Sequence, residues 1–227
     1  MKIFAHRGFS ARFPEGTRAA YEGAVVAGAD GFECDVRLTR DNQVICFHDR
    51  TIKRIAGIRK AVSRLTAQEL HKLVNAITLN ELLDIAIDEK KDLLIETKHP
   101  VLTGGKIERQ VLEILNKRSS EIEEAGINIT VMSFSYLAVR RLRGKYPDIA
   151  KVIKYALAAR LSREKTVAIS IELIEKNPGL LKKLSAHRIM VWTVNSSAGL
   201  SLLKDQKIDG VITDKPRFAR KKLIGEH

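Results

Sequence analysis

The chain has 227 residues, of which 44% are hydrophobic and 30% charged, and its 40 Lys and Arg against 27 Asp and Glu give a formal net charge of +13. That length and apolar share support a globular core and exclude a disordered chain. There is no uninterrupted apolar run of about 18 residues to span a membrane. The start, MKIFAHRG, lacks the apolar block of a signal peptide. The two cysteines, Cys34 and Cys46, are too few for a zinc knuckle and sit in apolar stretches, as in a reduced, cytoplasmic protein.

Taken in chain order, short β-rich runs alternate with stretches of helical period. Lys2–Ala5 reads as a strand, and residues 17–28 as a helix that Thr17 can cap and Gly28 can end. Residues 32–38 form the next strand. Residues 43–47 (QVICF) follow after only Thr39-Arg40-Asp41-Asn42, a link that permits a hairpin but no parallel crossover. Residues 50–78 are then a small insertion, in which Thr66, Gln68 and Glu69 mark a helix start. Further on, 79–90 is a helix, 92–97 (DLLIET) a strand, 106–125 one long helix, 127–133 a strand and 136–146 a helix. The strands 151–155 and 166–171, a helix near 179–186, the strand 189–194 (IMVWTV), a helix over 198–207 and the strand 210–213 complete the series, with a short basic tail behind.

Eight strands separated by helices, without a Pro/Gly/Ser linker, predict one (β/α)8 barrel domain over 1–227, with a hairpin and insertion after its second strand. An open doubly wound sheet is the alternative, but its Gly-rich dinucleotide loop is absent.

Several polar residues break the apolar pattern. In GFECDVRL (31–38), Glu33 and Asp35 share one face and Cys34 and Val36 the other. Glu96 and Lys98 share a face at the C-terminal end of their strand, the end where barrel active sites lie. Three converging carboxylates need positive charge between them, either a hard divalent cation such as Mg2+ or Ca2+ or a salt-bridge network with Arg and Lys. His6 ends the first strand and His48 the hairpin's return strand, where residue 48 should lie roughly opposite 35. Two histidines at one barrel mouth can serve as general acid and base. Arg7 and Lys98 suit an anionic group such as phosphate. Asp49 can either orient a histidine or cap the loop, with the loop role preferred; Asn195 reads as a helix cap, Asp214 as a loop-fixing carboxylate, and Trp192 as either core or substrate-facing wall.

The motifs AHRG, PEGT, GADGFECDVRLTRDNQVICFHD, IETK, VWTVN and DGVITDKP, spread from residue 1 to about 216, closely resemble those of the glycerophosphodiester phosphodiesterases. The resemblance implies a TIM barrel with a small insertion. It implies divalent-cation-dependent hydrolysis of glycerophosphodiesters to glycerol 3-phosphate and an alcohol, in lipid and glycerol metabolism. Residue by residue it assigns His6 and His48 to acid/base catalysis, Glu33, Asp35 and Glu96 to the ion (Mg2+, Ca2+ or Mn2+), and Arg7, Lys98 and Trp192 to substrate. Glu15 matches the loop in which relatives carry Pro-Glu-Asn-Thr; here Gly16 replaces the Asn. The competing readings are the same chemistry on lysophospholipids, of lysophospholipase D type, and a non-catalytic anion-binding barrel. Nucleic acid is not expected, because aromatics for base stacking are only 5% of the chain. The excess charge lies mostly on helical faces and the tail, which leaves room for weak contact with anionic membrane.

Overall fold

A computed structural model describes residues 1–100, 104–160 and 162–225. Among them, β1 (Lys2–His6), β2 (Gly31–Leu38), β3 (Val44–Cys46), β4 (Asp92–Thr97), β5 (Ile129–Ser133), β6 (Ile149–Ile153), β7 (Thr166–Ser170), β8 (Arg188–Trp192) and β9 (Gly210–Thr213) form one sheet. β1 pairs with both β9 and β2 in parallel, so the sheet closes on itself, while β3 lies antiparallel on the outer half of β2. This is the (β/α)8 barrel with a hairpin that the alternating pattern predicts, not an open sheet.

The helices are α1 (Arg18–Val26), α2 (Lys53–Ala56), α3 (Ala67–Val74), α4 (Leu79–Asp88), α5 (Lys106–Lys117), α6 (Ser119–Ala125), α7 (Tyr136–Leu142), α8 (Ala156–Arg160), α9 (Ile171–Lys176), α10 (Leu180–Lys183), α11 (Ser197–Lys204) and α12 (Pro216–Ile224). Thr17 caps α1, and Thr66 with Glu69 forms the capping box that starts α3 inside the insertion.

Side-chain alternation splits the core. Outward residues such as Cys34, Val36, Leu93, Ile95 and Val131 pack under helices. Inward residues Phe4, Leu94, Met132, Ala168, Met190 and Ile212 fill the barrel. Both faces are covered, so β2 and β4 are buried almost throughout. The inward positions are polar at both ends: Lys2 with Asp92, and Thr130, Thr166 and Arg188 with Asp148, at the N-terminal end, and His6, Glu33, Asp35, Glu96 and Lys98 at the C-terminal end. Phe4 closes the interior beneath them, against a glycine: a Cβ on Gly31 would stand 2.6 Å from the Phe4 ring and 2.5 Å from the Asp92 carbonyl oxygen.

The structure departs from the predicted elements at several points. The expected helix over 106–125 breaks at Arg118, whose φ of −102° and ψ of 11° leave the helical region and whose guanidinium bonds Asp84 and Glu121 instead. β6 begins two residues earlier than 151, because Ala150 and Val152 are the buried positions and 154–157 are exposed. The helix over 136–146 stops at Leu142, and α9 occupies a stretch for which only the end of a strand is expected. The basic tail is a helix, α12: Pro216 occupies its first turn, Ala219 is buried, and Phe218 and Leu223 pack on the core. The hairpin register is one residue short of the expected one, with Val36 opposite Cys46 and the Phe47 N–H donating to the Asp35 carbonyl at 2.8 Å.

His99, which the sequence leaves without a role, is a structural clamp. Its Nε2 lies 2.7 Å from Oε1 of Glu108, a residue of α5 only 2% exposed, and so ties the loop after Lys98 to that helix. Burial alone would raise the Glu108 carboxyl; the hydrogen bond to His99, a backbone hydrogen bond and the charges of His99 and Arg141 together hold the group below its ordinary range.

Gly31→Ala should overpack the barrel floor and lower stability by about 1–3 kcal/mol, read as a drop in the urea midpoint at constant slope. An unchanged midpoint would show that Phe4 and the β4 backbone yield freely.

Candidate active site

β2 lies between β1 and β4, and the parallel register sets His6 beside Glu33 and Asp35 beside Glu96. One ligand atom from each of His6, Glu33 and Asp35 lies within 4.8 Å of the others. Glu96 is not in that cluster. Its Oε1 accepts a hydrogen bond from Lys98 Nζ at 2.6 Å, and the same ammonium lies 2.8 Å from Asp35 Oδ1. Arg7 Nε lies 2.7 Å from Asp35 Oδ2, and the Arg7 guanidinium also donates to Glu15 at 3.1 Å. Arg7 itself has a φ of 55°, and its N–H donates to the Glu33 carbonyl at 2.9 Å. The two cations are thus interleaved with the carboxylates rather than standing apart from them.

The balance of charge is uneven. Burial, then the neighbouring charge of Asp35, pushes Glu33 up to about 7 against the pull of His6, Arg7 and Lys98. Burial and Asp35 likewise push Glu96 up to about 8, against the pull of Lys98. Burial would raise Asp35 too, but Lys98 and Arg7 together hold it near about 2. Asp35 is satisfied as an anion by both Arg7 and Lys98, whereas Glu96 shares Lys98 with it and Glu33 lies 3.9 Å from His6 Nε2, so these two are less fully neutralised. Asp35 Oδ2 is buried and makes no hydrogen bond, only the ion-pair contact to Arg7. Hard oxygen donors, two of them short of counter-charge, fit a divalent cation.

Each histidine is steered by its own carboxylate. His6 Nδ1 lies 2.6 Å from Asp214 Oδ1, and Asp214 is in turn held by Ser10 at 3.0 Å and Asn195 at 2.5 Å. His48 Nδ1 lies 2.7 Å from Asp49 Oδ1, while Arg54 Nε donates to Asp49 Oδ2 at 2.6 Å. These contacts occupy Nδ1 and leave each Nε2 for the site. Burial would lower His6, but the Asp214 hydrogen bond together with the charges of Glu33 and Asp214 raises it; burial, with Lys98 and Arg7, lowers His48 despite Asp35.

His6, Arg7, Glu33, His48, Glu96, Lys98 and Trp192 all line one cavity of about 230 Å³ at the barrel mouth, with Asp35 beneath Arg7 and Lys98. Trp192 is both core and wall: its Nε1 donates to the Ala168 carbonyl at 3.0 Å, and its ring meets Phe134 edge-on at 5.4 Å. Gly16 has a φ of 70°, a conformation glycine and asparagine tolerate, and its N–H donates to the Arg7 carbonyl at 3.0 Å, so the loop holds Arg7 through backbone. Glu15 joins Arg7 to Arg54.

Three residues play parts that differ from the reading the sequence favours. Asp214 holds His6 as well as the loop. Asn195 does not cap α11, which Ser196 does; it grips Asp214. Asp49 touches His48, and so orients a ring. The signal for Asp214 is its place just after the last strand, which barrel closure brings beside the first.

The sequence profile of the glycerophosphoryl diester phosphodiesterase family matches residues 6–217. The Bacillus subtilis protein YhdW is 33% identical over 241 residues, covering 96% of both chains. A glycerophosphodiester phosphodiesterase of Caldanaerobacter subterraneus subsp. tengcongensis is 26% identical over 94% of each chain. The crystal structure of the Thermotoga maritima glycerophosphodiester phosphodiesterase superposes with a TM-score of 0.81 at 27% identity, over 97% of both chains. The strand order, the clustered carboxylates and the paired histidines thus stand in a chain that belongs to the glycerophosphoryl diester phosphodiesterase family.

Proposed function

We propose that this barrel hydrolyses glycerophosphodiesters to glycerol 3-phosphate and an alcohol, with one divalent cation and two histidines. The observation that carries this reading is the opening of His6 and His48, each oriented through Nδ1, onto the same cavity as Arg7, Lys98 and the under-neutralised carboxylates. Glu33, Asp35 and Glu96 would hold the ion, with His6 close to the first two. When bound, the ion supplies electrophilic polarisation of a phosphoryl oxygen.

The chain's own groups do the rest. Arg7 and Lys98 present N–H donors to the phosphoryl oxygens and stabilise the charge that grows as phosphorus becomes five-coordinate. One histidine takes a proton at Nε2 from the nucleophile and the other gives one to the leaving alkoxide. The nucleophile is water or the glycerol 2-hydroxyl, and trapping of a cyclic phosphate tells them apart. Trp192 and Phe134 form an apolar wall against the carbon skeleton. That wall, together with Met132, Val152 and Ile212, also favours a second reading, the same reaction on a lysophospholipid. A single domain acting in the cytoplasm fits the two free, buried thiols, Cys34 and Cys46. No helix among the described residues is long and apolar enough to cross a membrane.

Release of glycerol 3-phosphate from glycerophosphocholine or glycerophosphoethanolamine should stop with excess EDTA and return with one of Mg2+, Ca2+ or Mn2+; release that ignores EDTA would refute the ion's part. His6→Ala and His48→Ala should each lower kcat by about 10²-fold or more with KM little changed. Full turnover in either variant would remove that histidine from the chemistry.

A further inference from the structure

Five of the exposed large apolar side chains gather at one end of the barrel. Phe134 is 41% exposed, Tyr136 58%, Leu137 50%, Tyr155 72% and Leu157 69%. All five lie just past the C-terminal ends of β5 and β6, which are neighbours in the sheet. Lys151 Nζ donates to the Phe134 carbonyl and links the two segments. In α7, Ala138, Val139 and Leu142 are buried while Tyr136, Leu137 and Arg140 are exposed, so the helix has an apolar and basic outer face as well as a packed inner one. Residues 154–157 form an exposed run from Lys154 to Leu157. Phe134 and Lys154 also line the catalytic cavity, so the patch is continuous with the site.

The insertion after β3, which Arg54 ties to Asp49 beside His48 and to Glu15, carries the same chemistry. Ile55 is 37% and Ile58 45% exposed, among exposed Lys53, Arg54, Arg59 and Lys60. Residues 50–60 contain five Lys or Arg and no acidic residue. Three loop carboxylates at this end are already engaged: Glu15 by Arg7 and Arg54, Asp49 by His48 and Arg54, and Asp214 by His6 and Asn195.

We infer that the barrel mouth docks on an anionic lipid bilayer. One apolar tip is continuous with the cavity wall and a second sits on the insertion that Arg54 ties to the mouth, so an occupant broad enough to span the mouth covers both. The surrounding Lys and Arg require it to be anionic. A bilayer offers an apolar interior to Leu and Ile, an interface to the tyrosines and anionic headgroups to the cations. A second copy of the chain would set +13 against +13. Docked in this way, the cavity opens toward the lipid surface.

The test is co-sedimentation of the full chain with phosphatidylcholine vesicles, with and without phosphatidylglycerol, at low and raised salt. A Leu137→Ser/Leu157→Ser variant is run beside it, and turnover of soluble glycerophosphoglycerol is read in both proteins. The expected result is binding to the anionic vesicles alone, weakened by salt and at least roughly tenfold weaker in the variant, with soluble turnover unchanged. Absence of sedimentation, or sedimentation that the variant leaves intact, overturns the inference. So does a concentration-dependent dimer in analytical ultracentrifugation that the variant abolishes while vesicles bind neither protein. Loss of soluble turnover in the parent chain would count against the proposed reaction and leave the vesicle result standing by itself.

Discussion

Everything at the mouth of this barrel is organised around the confinement of like charge. Glu33, Asp35 and Glu96 come from two adjacent strands, face the same interior and are buried, at most 6% exposed. Isolated buried carboxylates are strongly disfavoured. Arg7 and Lys98 both reach Asp35, which is kept ionised; Lys98 also bonds Glu96, yet Glu33 and Glu96 are driven toward neutrality by burial and by Asp35. The proposed divalent cation would answer this imbalance where ligand atoms of His6, Glu33 and Asp35 already lie within 4.8 Å of one another, with Glu96 beside Asp35 in register.

The lower half of the barrel makes that grouping rigid. Phe4, Leu94, Met132 and Ile212 form a dry floor, and Phe4 fits only because Gly31 leaves space. On that floor, pleating carries every second residue upward into the polar mouth. The next layer comes from elsewhere in the chain. Asp214 reaches His6 from the end of β9, Asp49 follows the hairpin, and Glu15 bridges from the loop after β1 to the insertion through Arg54. Strands place the reactive groups and loops orient them, a division typical of barrels whose sites lie at the C-terminal face.

This division also explains what the sequence discloses. Glu33, Asp35 and Glu96 are legible because charge interrupts otherwise apolar strands, and His6 and His48 because they end them. Asp214 and Asn195 are not, since their place beside His6 depends on closure of the barrel between residues some 200 apart, as the His6–Asp214 separation of 208 records. Asp49 hides because an acidic residue after a strand is also an ordinary loop residue. The break at Arg118 is invisible to hydrophobic period, which continues across it. The basic tail conceals a helix because its apolar positions, Phe218, Ala219 and Leu223, are few among many charges.

The claim that Glu33 and Glu96 await a cation is tested most directly by calorimetric titration of the apo chain with Mg2+ or Mn2+ near pH 7, in buffers of different ionisation enthalpy. With Glu33 up at about 7 and Glu96 at about 8, binding should release protons, and Glu33→Gln and Glu96→Gln should each diminish both affinity and proton release. Binding without proton release, or binding that both variants leave unchanged, would contradict the account.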